Sequence, residues 1–155
     1  MGENRRKNAD ALCRAISFAY GIVMLWLLFG QRVDTLGQGR PYLDQLRSNL
    51  NLQPMQTLRL LWDLTQNDHS EYLVRFAVIN LVGNIVMFVP LGYFLPRLNP
   101  ALRGFFRVLF TGAGLITIVE LVQLFSLLGS CDVDDLILNL VGTALGYILF
   151  KILRK

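Results

Sequence analysis

Eight side chains able to do chemistry lie within or at the edges of apolar stretches: Asn80, Asn84, Glu120, Gln123, Asp132, Asp134, Asp135 and Asn139. An amide or carboxyl at membrane depth is costly, so it marks either a site or an interhelical contact. The donors are oxygens and amides, and the chain holds one histidine. No cofactor is expected from the residues; were a metal bound, such a set would suit a hard cation, Mg²⁺ or Ca²⁺, rather than zinc, with Glu120, Asp132 and Asp135 as the candidate ligands. The run Asp132-Val133-Asp134-Asp135 lacks the glycine and the distal glutamate of an EF-hand loop. The same donors could grip hydroxyls and amides of a sugar or peptide head group. As an enzyme, Glu120 with Asp132 or Asp135 would form the acid–base pair. His69-Ser70-Glu71 are neighbours in a loop and do not make a triad, and His69 reads as a solvated loop histidine.

The surrounding composition decides the environment. Of 155 residues 54% are hydrophobic and 17% charged, with a mean hydropathy of +0.46. The apolar excess gathers in four blocks, which makes this an all-α polytopic membrane protein rather than a soluble one. The spans run over about 15–29, 74–95, 105–128 and 136–153, each near the ~17–25 residues that cross a bilayer. Residues 1–14 form a polar N-terminal segment and 15–155 a single four-helix domain. No small-x-small cleavage site follows the first apolar run, so it reads as an uncleaved span. Pro90 should kink the second span.

Basic residues cluster at segment ends: Arg5, Arg6, Lys7 and Arg14; Arg97, Arg103 and Arg107; Lys151, Arg154 and Lys155. The last connection, Gly129 to Asp135, carries three acids and no base. The positive-inside rule then places both termini in the cytoplasm, and the net charge of +4 reports orientation rather than a nucleic-acid partner. Cys13 and Cys131 fall on opposite sides, so an intrachain disulfide is not expected. Between the first two spans, Met55, Leu58, Leu61, Trp62 and Thr65 recur at helical spacing. They predict a short helix on the outer surface, with Pro54 at its start.

Depth unites the polar residues. Asn80 and Asn84 lie about 9 and 15 Å below Val74, and Glu120 about 12 Å below Leu128, at a 1.5 Å rise per residue. Gln123 sits one turn above Glu120, and Asp135, Asn139, Gly142 and Gly146 form one stripe on the last span. All the polar patches fall in the outer half of the membrane, which predicts one pocket opening outward. Against this, the amides could simply bond across helices at about 0.6–2 kcal/mol each. At least one aspartate of 132, 134 and 135 is expected to cap the last helix.

At these residues the chain resembles the VanZ-like membrane protein family. Asn80 to Gly92 (NLVGNIVMFVPLG) resembles the family's first signature. Glu120-Leu121-Val122-Gln123 followed by Cys131 to Gly142 (CDVDDLILNLVG) resembles its second. Asn51-Leu52-Gln53-Pro54 is similar to the N-L-x-P that precedes the family's second span, with Met55 where a phenylalanine usually follows. The resemblance implies a small multi-pass protein of the bacterial cytoplasmic membrane, in a family with no settled reaction. The founding member is associated with resistance to teicoplanin, an acylated glycopeptide that acts on peptidoglycan precursors outside the membrane.

Three readings follow. The first is a non-enzymatic protein whose outer pocket binds a lipopeptide or a lipid-linked cell-wall precursor, with membrane lipids around it. The second is an intramembrane enzyme acting on a lipid-linked or phospholipid substrate. It suffers from the lack of nearby bases, since phosphate recognition wants Arg or Lys. The third is a structural partner of another membrane protein, docking through Gly142 and Gly146.

Overall fold

The computed structural model describes residues 2–30, 41–56, 59, 62–63 and 71–154. Four helices are long and apolar enough to cross a membrane, each with a mean hydropathy of 1.9 over its best window. α1 (Gly2–Leu25) continues into a π-helical turn at Trp26–Gly30. A short helix, α2 (Tyr42–Ser48), and a two-residue strand, β1 (Leu50–Asn51), follow. α3 (Glu71–Leu98) and α4 (Phe105–Ser126) flank a single 3-10 turn at Pro100–Leu102. β2 (Cys131–Asp132) leads directly into α5 (Val133–Leu153).

The expected spans fall inside these helices, except for residues 127 and 128 at the end of the third. α1 reaches three turns beyond the apolar run, and α3 continues through both Pro90 and Pro96. α4 ends at Ser126 because Leu127 adopts a left-handed conformation (φ 57) and donates its N–H to the Leu124 carbonyl at 3.1 Å. The surface helix expected around Trp62 is seen at Gln56, Arg59, Trp62 and Asp63, all helical, with Pro54 in the turn just before it. Leu58, Leu61, Thr65 and His69 lie outside the described residues.

Exposure is that of a protein solvated by lipid. Phe18, Phe106 and Phe110 are 73%, 69% and 75% exposed, on helices whose backbone polar groups are satisfied internally. Inside, packing rather than hydrophobic transfer must hold the helices together, and packing rewards small residues that let backbones approach. α3 and α5 form the most extensive helix pair. A Cβ at Gly146 would stand 1.9 Å from the Val89 carbonyl oxygen, and one at Gly142 would stand 2.1 Å from that of Ile85. Gly92 meets Thr143 in the same way from the α3 side. The G-x-x-x-G stripe of α5 is therefore consumed inside the molecule.

Two buried clusters flank this seam. Met24, Phe88 and Ile116 join α1, α3 and α4. Val108, Tyr147 and Phe150 join α4 and α5, with Tyr93 of α3 edge-on to Phe150. α1 is attached to α3 by the Tyr20 hydroxyl, which donates to the Met87 carbonyl at 2.8 Å, and by the Arg97–Asp10 ion pair at 2.9 Å.

The seam predicts a matched pair of outcomes. Gly146→Ala must displace α3 backbone and should cost about 1–3 kcal/mol, the range of overpacking. Gly83→Ala, with nothing within 4 Å of the added methyl, should be neutral or stabilise by about 0.5–1 kcal/mol. Thermal unfolding in mild detergent ranks the two against the parent protein.

Candidate functional site

The site is built where α5 starts. Asp132 is in extended conformation, and its Oδ1 accepts the Asp134 N–H at 2.8 Å, so it is the N-cap expected among the three aspartates. Asp134 and Asp135 then occupy the first turn, where the helix dipole favours negative charge.

The outer oxygen of the cap is also taken. Asp132 Oδ2 accepts from Asn51 Nδ2 at 2.8 Å. This bond is supported by a parallel pairing of β1 with β2, Leu50 opposite Cys131 and Asn51 opposite Asp132, with Cys131 N–H donating to the Asn49 carbonyl at 2.8 Å. Asn51 organises the turn beyond it as well. Its Nδ2 donates to Gln56 Oε1 at 2.9 Å, and its Oδ1 accepts the Gln53 N–H at 3.2 Å. Met55, at φ 66, turns its N–H onto Asp134 Oδ1. α2 is anchored beside them, its Tyr42 hydroxyl donating to the Phe125 carbonyl at 2.8 Å. The segment from Tyr42 to Gln56 is thus a strap laid from the end of α4 to the start of α5.

Beneath the strap, Asn84 Nδ2 donates to Asp135 Oδ1 and joins α3 to α5. Asn139, one turn further along α5, is 3% exposed, and its Oδ1 receives no hydrogen bond among the described residues. Glu120 is 6% exposed on α4. It lies close enough to act on Cys131, whose thiol is pushed up by burial first, then by the charges of Glu120 and Asp132.

Gln123 and Asn80 do other work. Gln123 is buried, but its Nε2 donates to the Leu28 carbonyl in the π-helical turn after α1, at 2.9 Å. Such a turn shifts its hydrogen bonds out of the α-helical register, and Gln123 fills the carbonyl's need. Asn80 is exposed. It shares a face with Asn84, yet Asn84 already meets Asp135 in the first turn of α5.

The structure therefore brings together Asn84 with Asp135, and Asp132 and Asp134 with the strap. It buries Glu120 and Asn139 at the same end and leaves Asn80 outside. Asn51 and the Met55 N–H belong to the site although sequence reasoning did not place them there; the signal was the N-L-x-P stretch, which was read for its likeness alone. Among the described residues no group of three or more His, Cys, Asp or Glu side chains is arranged to hold a metal ion.

An apolar cavity of about 420 Å³ opens between α1, α3 and α4. Tyr20, Met24, Leu28, Phe88, Leu115 and Val119 line it. Leu28 and Val119 carry it up to the polar cluster, since Gln123 holds the Leu28 carbonyl and Glu120 follows Val119 in the chain.

This is a polytopic helical membrane protein with a polar cluster strapped over one end of its bundle. A family model described as VanZ/LLP1 matches residues 17–154, and the chain belongs to that family. No curated protein and no solved structure matches it.

The charge on Glu120 has a readout in Cys131. Glu120→Gln removes a negative charge that raises the thiol's pKa, so more thiolate forms at a given pH. Alkylation of Cys131 near pH 8, in a Cys13→Ala background, should run faster in Glu120→Gln than in the parent. An unchanged rate would mean that Glu120 carries no charge in the native protein.

Proposed function

We propose that this protein binds an amphiphilic ligand, a lipopeptide or a lipid-linked cell-wall precursor, without transforming it. The polar head rests against the strapped cluster of Glu120, Asn139, Asn84 and Asp135. The acyl chain lies in the groove between α1, α3 and α4. The single observation that carries this reading is adjacency: Leu28 and Val119 line the apolar groove, the buried Gln123 bonds the Leu28 carbonyl, and the buried Glu120 follows Val119 in the chain. Buried polar atoms beside an apolar cleft are the usual make-up of a site for a molecule with both kinds of surface.

Orientation supports the choice of ligand. Basic residues at the opposite end support an orientation with both termini in the cytoplasm of a bacterial plasma membrane, in which the strapped end meets the precursors of the wall. Association with teicoplanin resistance, which the family name suggests, fits a protein that engages this acylated glycopeptide or its lipid-linked target.

An enzymatic reading draws less support. Asp132 and Asp134 are occupied in capping α5 and holding the strap, and Asp135 is bonded to Asn84. A docking role for Gly142 and Gly146 conflicts with their burial against α3.

Two variants separate head from tail. Asn139→Ala should weaken binding of fluorescent teicoplanin to protein in nanodiscs by about tenfold, the loss of a buried hydrogen bond. Leu115→Trp should fill the groove and weaken the acylated ligand while leaving a deacylated analogue unaffected. Full affinity in both variants, with thermal stability retained, would reject the site.

A further inference from the structure

The bundle's other end holds a second constellation that the polar cluster does not explain. Two cavities, of about 250 and 290 Å³, adjoin there, and both are lined by Arg97 and Arg103. The first lies between α1 and the α3–α4 turn and adds Asp10 and Arg14. The second lies between that turn and α5 and adds Tyr93, Phe150 and Arg154. Four guanidinium groups thus face one carboxylate among the described residues lining them. Asp10 is engaged with Arg97 at 2.9 Å, which leaves the cluster with an excess of positive charge.

The placement is fixed rather than incidental. The Arg103 carbonyl accepts from the Tyr147 hydroxyl at 2.9 Å, and its N–H donates to the Pro100 carbonyl at 3.3 Å, so the main chain is held from both sides. Arg154 lies over the Phe150 ring, 5.8 Å from its centre. The Nε of Arg103 is buried and has no acceptor among the described residues. A buried guanidinium donor without an acceptor is costly, and a planar guanidinium suits a tetrahedral oxyanion that takes two parallel hydrogen bonds. α4 begins two residues later, with Gly104 as an N-cap that offers no side chain, so its dipole adds to the positive potential.

We propose that Arg97, Arg103, Arg14 and Arg154 form a phosphate-binding site at this end of the bundle, filled by the phosphate of an anionic lipid. Tyr93, Phe150 and Leu153 give the second cavity an apolar wall. A headgroup phosphate can thus enter while its acyl chains stay along the helices, a seating that free phosphate does not need. The site is independent of the ligand argued for the strapped end.

The test uses the full chain in detergent, with lipid binding followed by native mass spectrometry. Phosphatidylglycerol should be retained in preference to phosphatidylcholine. Arg103→Gln should weaken that retention about tenfold, as expected for a charge-assisted pair. The variant keeps the main-chain bonds to Tyr147 and Pro100, and its thermal unfolding checks that it is folded. Lys151→Gln removes a charge that lines neither cavity and should leave retention unchanged. A titration with inorganic phosphate distinguishes the sources. Displacement of lipid only at phosphate concentrations far above the lipid's own supports a headgroup site. Equal affinity for phosphate alone supports a phosphate site whose ligand is soluble. Equal retention of both lipids, or the same loss in Lys151→Gln as in Arg103→Gln, overturns the proposal.

Discussion

The backbone-to-backbone approach of α3 and α5 is the constraint on which the rest of the molecule depends. Gly92, Gly142 and Gly146 bring main-chain atoms of the two helices to distances that no side chain permits. In lipid, where apolar side chains gain nothing by exchanging acyl chains for one another, this contact supplies the cohesion that a soluble protein takes from water. It also sets the axial register. The same two helices are joined again near the start of α5, where the Asn84 amide meets Asp135.

Much of this was legible in the residues. Long apolar runs with charged ends gave the four spans, because hydrophobic thickness imposes a length that few soluble elements share. Asp132 was recognisable among the N-cap candidates, since a short acidic side chain before an apolar helix has a mechanical use. Glu120 and Gln123, one turn apart on α4, and Asn139 on α5 are all buried, where the sequence predicts a pocket open to the outside.

What remained hidden depended on partners far away in the chain. A two-residue pairing such as β1 with β2 has no periodicity to detect, and α2 is only seven residues long. Asn51 acts on Asp132 across 81 positions, so nothing local announces it. The exposure of Asn80 has the same origin. Helical spacing tells which residues share a face but not which of them a neighbouring helix covers, and Asn80 is exposed where Asn84 is bonded to Asp135. Gln123 was grouped with Glu120 by spacing, yet its bond runs to Leu28 of the first span.

The attachment of α1 has a mechanical consequence. Asp10, Tyr20 and Leu28 tie this helix to the others at three levels along its length, through Arg97, Met87 and Gln123 in turn. Directional bonds of this kind act as struts: they fix separation without needing side chains to fill the gap between them. α1 can therefore hold its position while a lengthwise slot stays unfilled beside it. Bundles glued only by close packing cannot do this, because in them any such slot would collapse.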